Sequence, residues 1–416
     1  MNAYQDLDDW IDRHFDDQVA FLQALVRQPT DTPPGDNAPH AELTARLVQA
    51  WGWQAEAHPV PAERVAAGGL RSITNLVIRR PLGDPSSGGG RGKTIGLNAH
   101  GDVVPPGDGW SHPPYGAEIH DGRLYGRAAA VSKCDFATYA FATRALEACR
   151  AASVHGAVEL YFTYDEEFGG ELGPGWLLEN HIVHPDLLIA AGFSYQVVTA
   201  HNGCLQLEVE VRGRMAHAAI PDSGRDALQA AVVLLDALYR RNETYRQVRS
   251  DVAGITHPYL NVGWIAGGTN TNVVPGKVVF RLDRRMIPEE DVVAVEAEIR
   301  DTIAQAAASL RDIEVDVRRI LLAHPLKPLP GNRPLVAALE RHASELLGET
   351  VSESGTPLYA DARLFGEAGI PAVLYGAGPR TVLESNAKRS DEHIVLSDLR
   401  AATKVVARTL ADLLGG

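Results

Sequence analysis

Segments of helical periodicity alternate with short apolar runs along the first 200 residues. This alternation is typical of an α/β domain in which helices flank a central sheet. Apolar spacing and apolar runs predict these elements: helices over 4–27, 41–51, 133–150 and 175–180, and strands over 73–79, 94–99, 157–163 and 187–191.

A stretch rich in Gly, Ser and Pro separates two of these strands. Residues 81–93 (PLGDPSSGGGRGK) turn easily and contain little that could be buried. We predict a flexible hairpin tip here, with 94–99 as the returning strand.

The pattern changes after His201. Residues 205–212 alternate apolar and polar side chains, as in a half-exposed antiparallel strand. The elements that follow are predicted as helix 225–241, strands 259–265 and 277–284, and helix 291–309. This β-α-β-β-α order predicts a small α+β sheet with two helices on one face.

The last part of the chain returns to the α/β pattern, with a short strand at 372–375 and a final helix at 397–414. The middle third is therefore predicted to interrupt a single α/β domain that has a mixed central sheet. We place the larger domain at 1–203 and 322–416, and the inserted domain at 204–321.

Composition excludes several classes of partner. The 416 residues carry a net charge of -14 without Lys/Arg stripes, which argues against nucleic-acid binding. No stretch approaches the ~20 apolar residues of a membrane span. The three cysteines form no CxxC pair, and the N-terminus shows no secretory signal, so we expect free thiols and a cytoplasmic location.

Polar residues follow two predicted strands where ligands of open α/β sheets bind. His100 and Asp102 suit a metal ligand and its orienting carboxylate, or a structural histidine capped by its neighbour. Asp165, Glu166 and Glu167 repel one another unless a cation or proton is held there. A general base beside a metal ligand is one interpretation, and a solvated acidic turn is the other.

Two residues of the inserted domain are weaker candidates. His217 follows a strand and a turn, and taken alone it would be interpreted as structural. Arg285 lies beyond a strand, where a guanidinium can hold a carboxylate with two hydrogen bonds, or can simply face solvent.

Taken in order, these segments resemble the M20 family of metallohydrolases, which includes acetylornithine deacetylase, succinyl-diaminopimelate desuccinylase, aminoacylase and glutamate carboxypeptidase. The matching segments are HGDVVP at 100–105, LYGR at 124–127, YDEEFGG at 164–170, RGRMAHAAIPDSGRDAL at 212–228, NVVPG at 272–276, DRR at 283–285, DARLF at 361–365, and GIPAVLYGAG with DEH from 369 to 393. The resemblance implies a catalytic α/β domain interrupted by a smaller dimerisation domain.

The resemblance also implies residue roles in the larger domain. His100 corresponds to a metal ligand and Asp102 to the carboxylate that orients it. Glu166 corresponds to the general base that activates water, and Glu167 to a ligand of a second metal. In the family, a metal-bound hydroxide attacks an amide carbonyl.

In the inserted domain, the resemblance implies that His217 reaches the partner subunit's active site and stabilises the oxyanion there. Asn272 and Arg285 correspond to residues that hold the substrate carboxylate. The implied partners are a small carboxylate-bearing molecule and a second copy of the chain.

The chain departs from the family at three ligand positions. Val131 stands where the family has a bridging Asp, Gly192 where it has an acidic ligand, and Lys388 where it has a His. His100 and Glu167 remain, whereas a catalytic zinc usually takes about three protein ligands. We therefore expect no dinuclear zinc centre.

A reduced or rearranged site is expected instead. A single Zn²⁺, Mn²⁺ or Co²⁺ is compatible with the remaining ligands if Asp135, Glu384 or His393 completes the set. For Asp135, at a helix N-terminus, and Glu384, in a loop, we favour a plain structural interpretation. Alternatively, Lys388 neutralises Glu166 or Glu167 and replaces a metal with a salt bridge.

These residues predict a hydrolase that cleaves an amide or other C–N bond in a small carboxylate-bearing substrate, with water activated by Glu166. One alternative is a catalytically silent binding protein or dimeric scaffold that keeps the pocket. The other is a metal-independent hydrolase that uses Lys388.

Overall fold

A computed structural model describes residues 3–83 and 92–415. In this part of the chain the helices are α1 Gln5–Arg13, α2 Phe15–Arg27, α3 Ala38–Gln49, α4 Ala62–Ala67, α5 Lys133–Arg150, α6 Pro174–Glu179, α7 Ala227–Tyr245, α8 Val292–Ala307, α9 Arg333–Leu347, α10 Ala362–Glu367 and α11 Leu396–Leu414. The strands are β1 Glu56–Pro59, β2 Thr74–Leu82, β3 Lys93–His100, β4 Glu118–His120, β5 Arg123–Tyr125, β6 Gly156–Thr163, β7 Leu187–Ala190, β8 Val197–His201, β9 Gly203–Arg212, β10 Ala216–His217, β11 Tyr259–Gly267, β12 Val273–Val274, β13 Lys277–Met286, β14 Glu314–Ala323, β15 Glu353–Thr356, β16 Ala372–Leu374 and β17 His393–Val395.

The chain divides into two compact units. The larger unit contains the described residues up to Thr199, then Pro328–Ser354, and then those from Ala360 onward. The smaller unit contains Ala200–Lys327 and Gly355–Tyr359. The predicted class, a mixed α/β domain interrupted by a smaller α+β domain, is confirmed.

The larger unit is built on an eight-stranded mixed sheet with the order β1-β2-β6-β3-β7-β16-β8-β15. Strand β3 is parallel to both β6 and β7, and β16 is parallel to β7. Parallel strands end at the same edge of a sheet, so the residues after β3, β6, β7 and β16 are brought together there.

The prediction that strands 73–79 and 94–99, which are β2 and β3, form a hairpin is wrong. Strand β6 lies between them, antiparallel to β2 and parallel to β3. The apolar β6 segment pairs on both sides, which places it in the middle of the sheet rather than after a closed hairpin. Most of the predicted tip, residues 84–91, lies outside the described residues.

Helix α5 packs its apolar side chains into the main core. The ring of Phe136 stacks on Phe162 of β6, with 4.0 Å between ring centroids. Helices α2 and α11 also pack against α5. The N-terminus of α5 is thereby held beside the C-terminal ends of the parallel strands.

The first predicted helix is two helices rather than one. The backbone leaves helical geometry at His14, where φ is -107° and ψ is 15°. The His14 ring donates to the Trp10 carbonyl over 2.8 Å and stacks on the Trp10 ring. The same carbonyl also accepts the His14 N–H over 3.1 Å, so two bonds from His14 close the last turn of α1.

The smaller unit is an antiparallel four-stranded sheet in the order β11-β13-β9-β14, with α7 and α8 packed on one face. Alternate residues of β9 point into this core, as the sequence pattern indicates. Asp226 and Asp291 cap the two helices by accepting backbone N–H bonds. Strand β14 was not predicted, although residues 314–318 alternate charged and apolar side chains as β9 does.

Two small sheets complete the described structure: β10 pairs with β12, and β4, β5 and β17 form a three-stranded sheet. Among the described helices, none has the length and apolar character needed to cross a bilayer.

Candidate active site

Two parallel strands deliver the acidic cluster and the histidine to one place. His100 at the end of β3 pairs in register with Thr163 at the end of β6. Gly101 donates its N–H to the Thr163 carbonyl over 2.8 Å. The residues that follow each strand therefore face one another at the carboxyl edge of the sheet.

Asp102 is fully buried and fixes the turn that carries the two glutamates. Its carboxylate accepts the backbone N–H of Glu166 over 3.3 Å and that of Glu167 over 3.0 Å. The Asp102 carbonyl is 3.0 Å from Nδ1 of His100, and its Oδ1 is 3.4 Å from the same nitrogen. Asp102 thus positions both His100 and the turn that carries Glu166 and Glu167.

His100 is buried, and Ser132 brackets its main chain by accepting its N–H and donating to its carbonyl. Burial alone lowers the imidazole pKa, but the carboxylates of Glu166 and Asp102 outweigh burial and raise it to about 10. Nε2 of His100 lies 3.8 Å from Oε2 of Glu166. His100 and Glu166 therefore form a buried ion pair.

Glu166 is buried at the end of β6, in the first turn after the strand. Burial raises the pKa of its carboxyl group, while the neighbouring His100 opposes that rise. A carboxylate whose pKa is raised toward neutrality is a better proton acceptor and donor near pH 7. Glu166 therefore has the surroundings of a general base.

Glu167 forms an ion pair with Lys388. Nζ of Lys388 lies 2.6 Å from Oε2 of Glu167, whose side chain is 6% exposed. The second oxygen, Oε1, is buried and has no hydrogen-bond partner within residues 3–83 and 92–415. Burial lowers the Lys388 pKa, and the attraction of Glu167 and Glu166 outweighs it, so the net direction is upward.

A buried carboxylate positions the Lys388 backbone. Glu392 accepts the N–H groups of Lys388, Ala130 and Val131 at 3.2–3.3 Å. Arg127 neutralises it over 2.6 Å, with both side chains essentially inaccessible to solvent. Lys388 itself adopts a left-handed φ of 62°, a conformation that needs such support from its surroundings.

Three sequence candidates for substitute ligands have other partners. Asp135 is buried and accepts the N–H of Ala377 over 2.7 Å, and burial raises its pKa to about 7. Glu384 accepts the N–H of Arg380, and His393 contacts the Asp391 carbonyl through Nδ1. In the described chain, none of the three joins His100 or Glu167 in a group of three metal-binding side chains.

Val131 and Gly192 form hydrogen bonds through their backbone groups. Val131 donates its N–H to Glu392, and the Gly192 carbonyl accepts the N–H of Gly378 over 2.9 Å. A Cβ atom on Gly192 would lie 2.8 Å from the main-chain carbon of Leu374. A longer side chain at 192 would require the adjacent β16 segment to shift.

In the smaller unit, two candidates lie side by side on the β10/β12 ribbon. His217 pairs with Val273, next to Asn272, and both candidate side chains are exposed. Nδ1 of His217 accepts the Ala219 N–H over 3.0 Å, which leaves the hydrogen on Nε2. His217 therefore presents a solvent-facing N–H donor.

Arg285 is held within the same unit by a carboxylate. Its Nε is 2.7 Å from Oδ1 of Asp283, and its Nη2 is 3.3 Å from Oδ2. The guanidinium also lies over the ring of Tyr359. Asp283 fixes the orientation of this cation and competes with any other carboxylate for it.

Three residues of the site were not assigned from the sequence. Arg127 and Glu392 lie in the LYGR and DEH segments, but nothing in their spacing indicates that they pair across 265 positions. Asp361, from the DARLF segment, is buried, and burial, followed by the charge of Glu166, raises its pKa well above the usual range. All three residues lie in segments that resemble the family, and this was the signal by which sequence reasoning could have found them.

Most of the chain matches a known protein family. Residues 96–412 match the sequence model described as peptidase family M20/M25/M40. A succinyl-diaminopimelate desuccinylase of Acidiphilium cryptum (strain JF-5) is 27% identical over 406 residues, covering 95% of this chain and 98% of the relative.

Two solved structures have a similar fold. The Saccharomyces cerevisiae dipeptidase Dug1p gives a TM-score of 0.79 at 14% identity, covering 100% of this chain and 99% of that one. An M20 metallo-carboxypeptidase of Sulfolobus solfataricus gives a TM-score of 0.76 at 19% identity, covering 96% and 99%.

Proposed function

Because the chain belongs to peptidase family M20/M25/M40, we propose that it hydrolyses an amide or other C–N bond in a small, carboxylate-bearing substrate. N-acyl amino acids and dipeptides are the substrate classes that the desuccinylase and dipeptidase relatives suggest. The single observation that carries the proposal is the buried Glu166, whose backbone is fixed by Asp102 and whose carboxylate lies beside His100.

Glu166 is the general base of the proposed reaction. It removes a proton from a water molecule as the water oxygen forms a bond to the amide carbonyl carbon. The protonated Glu166 then returns the proton to the leaving nitrogen as the C–N bond breaks. Atoms and charge balance, with water consumed and a carboxylic acid and an amine released.

Members of this family typically depend on divalent metals, and the donor set here does not fit a two-metal centre. The Lys388 ammonium is bonded to Glu167, Val131 is aliphatic, and Gly192 has no room for a ligating side chain. An ammonium at this point repels a cation. A single Zn²⁺, Mn²⁺ or Co²⁺ on His100 and Glu167 would first have to displace Lys388.

Lys388 supplies the positive charge in our proposal. Its ammonium lies at the rim, with 48% of the side chain exposed, so it is accessible to a substrate while still paired with Glu167. A fixed cation beside the reacting carbonyl stabilises the oxyanion that forms on water attack. The site is thus a rearranged ammonium–carboxylate centre.

In this proposal, residues of the smaller unit bind the substrate. His217 donates its Nε2 hydrogen to the oxyanion in a partner subunit's site, and Asn272 and Arg285 hold the substrate carboxylate. The support is their position in sequence segments that resemble the family, together with the exposed donor on His217. Because Asp283 already holds Arg285, a substrate carboxylate binds there only by sharing or displacing that pairing.

A homodimer is part of the same proposal, and the cytoplasm is the proposed location. Trp264 and Ile265 are 44% and 48% exposed on β11, an edge strand of the small sheet. An exposed edge with large apolar side chains is a typical pairing surface. This supports association through the smaller unit.

A binding protein without turnover is the second candidate. The observation that favours it is the neutralisation of Glu167 by Lys388, since a neutralised carboxylate can bind an acylated amino acid without taking part in a reaction.

The test is turnover of a panel of N-succinyl and N-acetyl amino acids and dipeptides by wild type and Glu166→Gln. We expect hydrolysis that falls ~10²–10⁴-fold in the variant, while substrate affinity measured by calorimetry persists. Binding without turnover by wild type supports the second candidate. Turnover that is equal in both proteins contradicts the assigned base.

A further inference from the structure

Three metal-binding side chains converge on the β4–β5 hairpin, away from the Glu166 site. Glu118 and His120 are two residues apart on β4, so their side chains point to the same face. His112 reaches that face from the preceding loop. Among the described residues, this is the group of three or more His, Cys, Asp or Glu side chains whose ligand atoms lie within 4.8 Å of one another.

We propose that His112, Glu118 and His120 form a binding site for a divalent metal ion such as Zn²⁺ or Co²⁺. The proposal is independent of the hydrolase function, because none of these three side chains takes part in the reaction described above.

The distances suit a zinc ion. Nδ1 of His112 lies 3.2 Å from Oε2 of Glu118, and Nε2 of His120 lies 3.3 Å from the same oxygen. Zinc bonds of 2.0–2.2 Å in tetrahedral geometry place neighbouring ligand atoms about 3.3–3.6 Å apart. Two of the three donor pairs therefore have nearly the spacing that a bound ion would impose, and all three ligand atoms lie within 4.8 Å of one another.

Hydrogen bonds from within the chain hold the loop that presents His112. Asp391 accepts the N–H groups of Ser111 and His112 over 2.9 and 3.1 Å, and also the Ser111 hydroxyl over 2.7 Å. The Tyr125 ring stacks on the His112 ring with 4.1 Å between centroids. A pre-organised donor loses little conformational freedom when an ion binds.

Donor type and exposure favour a transition metal with an open coordination position. Two imidazoles and one carboxylate suit Zn²⁺ or Co²⁺, whereas Ca²⁺ and Mg²⁺ prefer oxygen ligands. The three side chains are 24%, 42% and 52% exposed, so an ion can enter from solvent and retain water.

The test is calorimetric titration of chelator-treated, dialysed full-length protein with Zn²⁺, comparing wild type, His120→Ala and His58→Ala. His58 is the matched control, because it lies two residues from Glu56 on β1, with 3.6 Å between Nε2 and Oε2, but belongs to no three-donor group of the described chain. Titration with Co²⁺ provides a second readout, because tetrahedral Co²⁺ absorbs strongly in the visible range.

We expect wild type and His58→Ala to bind zinc equally. His120→Ala should bind at least ~10-fold more weakly, since even loss of an outer partner of a ligand costs 10–100-fold. Circular dichroism shows whether His120→Ala is folded, and Glu118→Gln provides a second, isosteric variant. Absence of zinc binding by wild type, or equal binding by all variants, overturns the site whether or not the protein hydrolyses any substrate.

Discussion

Nζ of Lys388 lies 2.6 Å from Oε2 of Glu167, so a cation that belongs to the chain itself occupies the acidic end of the candidate active site. The sequence left open whether Lys388 would neutralise Glu166 or Glu167. With the lysine on Glu167, Glu166 remains beside His100. The two glutamates thus have different partners, which is how neighbouring carboxylates acquire different roles.

Lys388→Met should abolish most turnover. Removing the ammonium takes away the charge that stabilises the oxyanion, a loss of about 10²–10³-fold by comparison with other oxyanion donors. The neighbouring Arg389→Met is the matched control, because it removes one positive charge from an exposed side chain one residue away. Steady-state kinetics on both variants, with thermal melts to confirm folding, provide the measurement. Equal turnover by the two would show that Lys388 has no role in the reaction.

Arg127→Met should destabilise the fold by about 3–5 kcal/mol, because it leaves the buried Glu392 carboxylate without its partner. The comparison is Arg64→Met, which removes an exposed pair with Glu179 and should cost at most about 1 kcal/mol. Chemical denaturation gives both values. If the Arg127 variant is as stable as the Arg64 variant, the Arg127–Glu392 pair does not support the Lys388 loop as we describe.

Lys133 should give stability a distinctive pH dependence. Its ammonium is fully buried against the carbonyls of Leu25 and Gln28, and burial lowers its pKa from 10.5 to about 7. Between these two values the unfolded chain binds one more proton than the folded chain. The contribution of Lys133 to folding stability therefore rises with pH through this window, by up to about 1.4 kcal/mol per pH unit.

Lys133→Met removes that dependence. Denaturation curves at pH 7, 8 and 9 should show the stability difference, wild type minus variant, increasing with pH. Parallel pH profiles for the two proteins would mean that Lys133 is not a buried cation with a lowered pKa.

Ile265→Glu should convert a dimer into a monomer, since it adds a charge to the apolar edge strand β11. Val293→Glu is the control, because Val293 is 73% exposed on α8, a helix of the same unit. Light scattering coupled to size exclusion measures the mass of each. A wild type that is monomeric, or a dimer unaffected by Ile265→Glu, contradicts association through β11.

Local sequence patterns predicted individual elements well. Helix 133–150 lies at its predicted residues, because its apolar spacing and the core that it fills agree. The alternation at 205–212 likewise predicted a half-exposed strand. Both are short-range signals that a single segment contains.

Long-range pairing was harder to predict. The supposed hairpin of β2 and β3 failed because β6, more than 50 residues later, inserts between them. Long-range pairing also limited the prediction of the candidate active site. His100, Asp102 and Glu166 follow strand ends and could be singled out, whereas the Arg127–Glu392 pair depends on a fold that brings distant segments together.

The most direct test of the rearranged centre is the turnover of chelator-treated protein on the best substrate of the panel, with and without added Zn²⁺, Mn²⁺ or Co²⁺. His120→Ala is assayed in parallel, so that an ion at the surface site cannot affect the result. The ammonium–carboxylate centre predicts the same kcat/KM before and after chelation, with no gain from any metal. Activity that disappears on chelation and returns with one of these ions in both proteins would contradict it.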